Sequence, residues 1–341
     1  MTTPDLEISA DLQKEISATI TKELSLESPP ILRYKIIYDD DRRIYKIKIE
    51  NQKAFFVLKI RGLKIVKQQD HDIEDLKKEF KLLENAWDSA KNMPHQLGMS
   101  KPVKLWVSEK AMLLSGCRGK NFNDWFNQHI FKWAFKSQAL NSAICQTGSW
   151  LGEFHKNASK TSALKDQFDN RVDNLTRMVC FLKTNSRHNL SEEKLDTLLS
   201  SFKNLTAQES DGPMGQVHGN FAYRNILYSP SQINLVDFED AHIEHVSFDI
   251  GQFLAEIMFK SQFPWLRHLT KKLTNSFKQG YQQHFQLQKN TTHAYLGYHL
   301  LVHLYEHCSR KKPQGIAGLV LTYRIRYLTK LVKNWTSESS F

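Results

Sequence analysis

Hydrophobic positions follow a helical rhythm first, a strand rhythm next, and a helical rhythm again over most of the chain. In DLQKEISATITKEL the apolar residues Leu12, Ile16, Ile20 and Leu24 fall four apart, which predicts a helix that SLESPP then breaks. Residues 1–30 therefore read as an N-terminal extension. From Ile31 onward, ILRYKIIY, IYKIKIE and AFFVLKI are rich in β-branched and aromatic residues and are separated by the polar turns DDDRR and NQK. That spacing predicts three consecutive antiparallel strands. HDIEDLKKEFKLLENAW returns to helical spacing through Ile73, Leu76, Phe80, Leu83 and Trp87, and Glu79 shares the inward side of that helix. KPVKLWVS and AMLLSG predict two more strands. An acidic side chain pointing inward beneath a small sheet is the first chemical feature of the chain.

After Gly116 the pattern is mainly helical. KSQALNSAICQTGSWLGEFHKN carries Leu140, Ile144, Leu151 and Phe154 at helical intervals, and further helices are predicted from Leu164 to Leu182 and from Ser191 to Leu205. A strand-rich insert, VHGNFAYRNILYSPSQINLVDFEDA, begins at Val217, and helices resume at Asp249. The expected architecture is α+β. A small sheet-plus-helix lobe covers residues 31–115, and a large helical lobe covers 116–341, with a polar loop region at 217–240.

Composition narrows the function classes. The 341 residues are 40% hydrophobic and 24% charged, enough apolar material for two lobes with real cores. An aromatic share of 11% excludes a mainly disordered chain. No run approaches the ~18 apolar residues of a membrane span. The start, MTTPD, lacks the basic and apolar parts of a secretory leader, so a cytoplasmic protein is expected. Cys117, Cys145, Cys180 and Cys308 are far apart and form no CxxC pair, which fits a reducing compartment and gives no zinc pattern. The net charge of +11 suits nucleic acid, anionic membranes or phosphate-bearing ligands. Its even spread, with no basic run interleaved with aromatics, speaks against nucleic acid. LTYRIRYLTKLVKNW reads as a packed terminal helix with a basic face, through which peripheral membrane contact is the other use. His299, His303 and His307 share one helix side, but ligands spread over two turns do not converge on a tetrahedral ion, so buried or solvated histidines are expected instead of zinc.

The chemistry concentrates in the insert. Ile226 to Tyr228 and Ile233 to Val236 are expected to form a hairpin about SPSQ that brings Asn225 close to Asp237. An amide oxygen and a carboxylate make a hard oxygen site suited to Mg2+. His218-Gly219-Asn220, followed by Asn225 and then Asp237-Phe238-Glu239, resembles the HGDxxxxN…DFE signature of the aminoglycoside phosphotransferase and choline kinase group. The resemblance implies a two-lobed protein-kinase-like fold, with ATP as phosphoryl donor, Mg2+ as cofactor and a small-molecule hydroxyl as acceptor. It implies that Lys59 grips the ATP phosphates and that Glu79 holds Lys59. It also makes Asn225 and Asp237 the metal ligands, and it makes Asp249 a brace of the catalytic loop holding His218 and Asn220.

The chain departs from that pattern twice. DDDRR contains no glycine, so Arg42 or Arg43 either replaces a glycine-rich phosphate cover as a point charge or is a solvated turn residue. Asn220 stands where the family has its catalytic aspartate, and an amide cannot accept a hydroxyl proton. A general base contributes about 10²–10⁴-fold, whereas phosphoryl transfer depends mainly on positioning and charge neutralisation. The expectation is an ATP- and Mg2+-dependent phosphotransferase acting on a hydroxyl of a sugar, amino alcohol or aminoglycoside-like molecule, with Asn220 aligning that hydroxyl. The alternative is a catalytically impaired pseudokinase that serves as a nucleotide-binding or interaction module. Glu239 and Asp240 are the nearby carboxylates that could replace the missing base.

Overall fold

The computed structural model describes residues 8–39, 42–61, 69–94, 97–158, 165–208 and 212–335. The first part of the chain forms α1 (Ala10–Glu23), β1 (Leu32–Asp39), β2 (Arg42–Ile49), β3 (Phe55–Arg61), α2 (Gln69–Ala90), β4 (Leu97–Met99), β5 (Pro102–Trp106) and β6 (Ala111–Ser115). The middle forms β7 (Lys120–Asn121), α3 (Phe122–Gln128), α4 (Ile130–Trp133), α5 (Gln138–Ala158), α6 (Lys165–Thr184), α7 (Glu192–Gln208) and β8 (Met214–Val217). A 3-10 turn at Tyr223–Asn225 leads into β9 (Ile226–Ser229), β10 (Gln232–Leu235) and β11 (His242–His245). Helices α8 (Ser247–Lys260), α9 (Thr270–Gln282), α10 (Lys289–Ser309) and α11 (Gly315–Trp335) complete the chain, with a second 3-10 turn at Pro264–Leu269.

Two compact units emerge. The smaller comprises Met1–Pro94, Gly98–Arg118 and the short return segment Asn234–Glu239, and the larger comprises His95–Leu97, Gly119–Ile233 and Asp240–Phe341. The smaller unit is built on an antiparallel sheet of order β1-β2-β3-β6-β5. Side chains alternate between faces of a strand. Tyr45, Ile47 and Ile49 of β2 and Phe56, Leu58 and Ile60 of β3 accordingly share one buried face with Leu12, Ile16 and Ile20 of α1. The segment read as an extension is thus part of this core, and burying each such aliphatic side chain is worth roughly 1.5–3 kcal/mol. Ser9 caps α1 by accepting the Leu12 N–H at 3.2 Å, the Trp106 indole donates to Glu15, and Lys101 pairs with Glu23 at 2.6 Å. The same alternation sends Lys59 and Arg61 of β3 to the opposite face, where α2 supplies Glu79.

In the larger unit, α5 and α9 approach through glycines. A Cβ on Gly148 would lie 2.1 Å from the Phe277 carbonyl oxygen, and one on Gly280 would lie 1.9 Å from that of Cys145. Only glycine permits that backbone contact. Strands β8 and β11 pair antiparallel, with Val217 opposite His242. Helix α11 packs through Leu321, Ile325, Leu328 and Val332, and the Trp335 indole donates to the His293 carbonyl at 2.7 Å. Among the described residues no helix is long and apolar enough to cross a membrane.

Candidate active site

Lys59 and Arg61 stand two residues apart on β3 and so share one face of the strand. Lys59 is 7% exposed, and its ammonium donates to Glu79 Oε1 at 3.0 Å and to Asp237 Oδ1 at 2.8 Å. The Arg61 guanidinium donates to Glu79 Oε2 at 2.7 Å and lies 3.5 Å from Glu239 Oε2. The run Asp237–Lys59–Glu79–Arg61–Glu239 alternates three carboxylates with two cations. Oxygens of Glu79, Asp237 and Glu239 lie within 4.8 Å of one another, and among the described residues these form the only cluster of three or more metal-capable side chains. All three donors are hard carboxylate oxygens, a set that fits Mg2+ or Ca2+ and not a soft metal. Asp237 also has φ of +69°, a left-handed conformation that costs a non-glycine residue roughly 1–2 kcal/mol. Buried ion networks are seldom more stabilising than apolar packing, so this concentration of charge and strain marks a use other than stability.

In the larger unit, β8 delivers the chain into the loop His218–Asn220. Asp249 stands in the first turn of α8, and its fully buried carboxylate accepts the backbone N–H groups of His218 at 2.7 Å and Gly219 at 3.0 Å. His155 Nε2 lies 3.4 Å from the same carboxylate. Gly219 has φ of +78°, and a Cβ there would lie 2.0 Å from the Asp240 carbonyl oxygen, so only glycine fits. His218 is fully buried, and its Nδ1 accepts the Asn220 N–H at 3.2 Å, which puts the ring proton on Nε2.

Both ends of the Asn220 amide are engaged. Nδ2 donates to Asp240 Oδ2 at 2.9 Å, while Oδ1 accepts from Arg224 at 2.7 Å. The Asn220 carbonyl accepts from Asn225 Nδ2 at 2.8 Å, which leaves Asn225 Oδ1 as that side chain's ligand atom. Asn121 caps α3 through the N–H groups of Asn123 and Asp124 and donates to the Arg224 carbonyl at 2.6 Å, tying the 3-10 turn to this helix start.

The six expected site residues fall into two groups. Lys59, Glu79 and Asp237 come together in the smaller unit, and His218, Asn220 and Asn225 come together in the larger. Two features escaped the sequence reading. Arg61 carried a signal, its two-residue offset from Lys59 on a predicted strand. The Asn220–Asp240 bond carried none, because it depends on β8 pairing with β11 across a loop of more than twenty residues. Arg43 is 9% exposed, and the Arg42 side chain and residues 40–41 lie outside the described residues.

The histidines of α10 form no metal cluster among the described residues. His299 packs edge-on against Phe248 at 4.6 Å, His303 stacks on Phe259 at 5.2 Å, and His307 Nδ1–H donates to the His303 carbonyl at 2.8 Å. Burial pulls both His303 and His307 down to about 4. An unfolded histidine titrates near 6.5, so below that pH the unfolded chain binds protons that the folded chain refuses. Stability contributed by keeping these rings neutral is complete above pH 6.5 and is lost as the pH falls towards 4. Denaturant titrations across that window are expected to show a loss of about 1–3 kcal/mol per ring. His307→Gln should flatten the slope, and an equal slope in this variant would remove His307 from the effect.

Comparison with known proteins now adds to this geometry. The choline/ethanolamine kinase family matches residues 122–304, more than half of the chain. A choline/ethanolamine kinase family protein from Mesorhizobium loti superposes with a TM-score of 0.56 at 10% identity, covering 95% of this chain and 98% of its own. Amicoumacin kinase in complex with AMP-PNP, Ca2+ and Ami gives 0.54 at 15% identity, over 94% and 96%. The streptomycin-ATP-APH(2'')-IIa ternary complex gives 0.51 at 14% identity, over 96% and 99%. No curated protein matches the sequence. At such identities these likenesses establish the fold, which is protein-kinase-like and α+β, as the sequence implied.

Proposed function

Because the chain belongs to the choline/ethanolamine kinase family, we propose that it transfers the γ-phosphoryl group of ATP to a hydroxyl of a small molecule, of the sugar, amino alcohol or aminoglycoside-like class. The observation that carries this reading is Lys59, buried on β3 and held at once by Glu79 and Asp237. A structural ion pair needs one partner. A lysine that must hand a carboxylate over to a metal and take up phosphate oxygens needs two, one to position it and one to exchange. The smaller unit is then the nucleotide-gripping lobe, and the larger carries the catalytic loop and the acceptor pocket.

In this reading Lys59 orients the ATP phosphates and Glu79 holds Lys59. Asp237 and Asn225 hold Mg2+, with Glu239 the further carboxylate beside Asp237. When bound, the ion neutralises charge on the transferring phosphates. The acceptor oxygen attacks the γ-phosphorus, the bond from that phosphorus to the ADP oxygen breaks, and the hydroxyl proton passes to Asp240. Asn220 was expected to align the acceptor. With both ends of its amide committed to Asp240 and Arg224, it acts instead as the positioning residue for the Asp240 carboxylate. The absence of an aspartate at position 220 favours one other reading, a nucleotide-binding module without transfer chemistry.

Lys59 offers a direct test. Lys59→Met removes the charge that contacts phosphate, so affinity for ATP is expected to fall about tenfold or more, the worth of a charge-assisted hydrogen bond, while affinity for adenosine holds. Titration calorimetry with both ligands measures this. Equal weakening of the two would assign Lys59 to the packing of the small unit.

A further inference from the structure

We propose that the N-terminal half of α11 and the aromatic surface beside it form a docking face for an anionic lipid bilayer. Ile316, Leu319, Val320 and Tyr323 are 81%, 71%, 43% and 37% exposed. They recur at i, i+3, i+4 and i+7, which makes one continuous stripe on the side of α11 opposite its packed residues Leu321, Ile325 and Leu328. A helix of a water-soluble protein normally turns such a stripe inward.

The stripe continues into a second element. Arg267 donates to the Tyr323 hydroxyl at 3.0 Å, and that hydroxyl donates to the Gln262 carbonyl, so the 3-10 turn Pro264–Leu269 is fastened to α11. Trp265 of this turn is 37% exposed and stacks at 5.2 Å on Phe131, which is 68% exposed, while nearby in sequence Phe135 is 90% exposed. Large apolar and aromatic side chains left in water on two linked elements form a patch that calls for a covering surface.

Charge identifies that surface. From His307 to Trp335 the chain has seven Lys or Arg residues and no Asp or Glu. Lys311 and Lys312 lie exposed immediately before the stripe, Arg326 and Lys330 extend the outward face beyond it, and Lys132 and Lys136 accompany Phe131 and Phe135. An apolar stripe ringed by cations, with aromatic residues at its margin, matches the interface of an anionic bilayer, where acyl boundary and headgroup charge are met together. A second copy would bring one predominantly basic face against another, which like-charge repulsion disfavours.

Flotation of the full chain with vesicles tests this. Vesicles of phosphatidylcholine with phosphatidylglycerol are expected to carry the native protein at low salt, and phosphatidylcholine alone is not. Raising the salt should release it. Ile316→Ser with Leu319→Ser, and separately Lys311→Glu with Lys312→Glu, should each lower the bound fraction at least about tenfold. All four positions are exposed, so melting temperatures should not move, and Phe135→Ser provides an independent variant in the segment after α4. Failure of the native chain to float with anionic vesicles, or flotation unaltered in every variant, would overturn the proposal. So would a dimer, seen by light scattering, that Ile316→Ser with Leu319→Ser dissolves, since the face would then belong to a second copy.

Discussion

Asp237→Ala is expected to abolish the Mg2+-dependent stabilisation of the protein by ATP. Asp237 is the carboxylate that Lys59 holds at 2.8 Å, it lies within reach of Glu79 and Glu239, and it has the strained backbone of the site. Ligand-linked stabilisation follows RT ln(1 + [L]/Kd), about 2.7 kcal/mol at a hundredfold excess over Kd, which thermal denaturation resolves readily. In the variant that increment should disappear. The unliganded protein should change far less, because Lys59 keeps Glu79 and Arg61 keeps both Glu79 and Glu239. Asp237→Asn separates charge from shape, and it should behave as the alanine variant does. An ATP-induced shift of native size in Asp237→Ala would take the metal away from this carboxylate.

What the sequence made legible, and what it did not, follows the range of the interactions. The inward position of Glu79 was readable because Leu76, Phe80 and Leu83 fix the face of α2 on which it lies, and the side chain is buried. Strands β1 to β3 were readable from their β-branched and aromatic residues and from the polar turns DDDRR and NQK between them. The N-terminal helix was readable as a helix with an apolar side, yet periodicity does not say what covers that side. The covering surface is a sheet face whose buried residues come chiefly from β2 and β3, far beyond the end of the helix in sequence. Residues 217–240 read as one loop region of the large lobe, whereas Asn234–Glu239 clusters with the smaller unit, and this return is what sets Asp237 against Lys59. The resemblance supplied Asn225 and Asp249 from local motif alone. It could not supply the Asn220–Asp240 bond, which two strands distant in sequence create.

That bond leads to the second large effect. Asp240→Asn preserves the shape and still accepts the hydrogen bond from Asn220, but it cannot take a proton. ATP affinity should therefore hold while turnover falls by about 10²–10⁴-fold, the ordinary worth of a general base. Asn220→Asp is expected to bring no gain, since it sets a second carboxylate against Asp240 at hydrogen-bond distance, where the two would share a proton. A rise in turnover with Asn220→Asp would instead mean that position 220 is the base site and that the native chain simply lacks it.

The most direct measurement is phosphoryl transfer itself, followed by phosphorus NMR with ATP, Mg2+ and a panel of hydroxyl-bearing metabolites. The native chain is expected to form ADP and a phosphate monoester in equal amounts with one class of acceptor, and Asp240→Asn is expected to bind ATP equally but form the ester at least about a hundredfold more slowly. ATP bound by the native chain without any ester across the panel would contradict the transferase reading and leave a nucleotide-binding module.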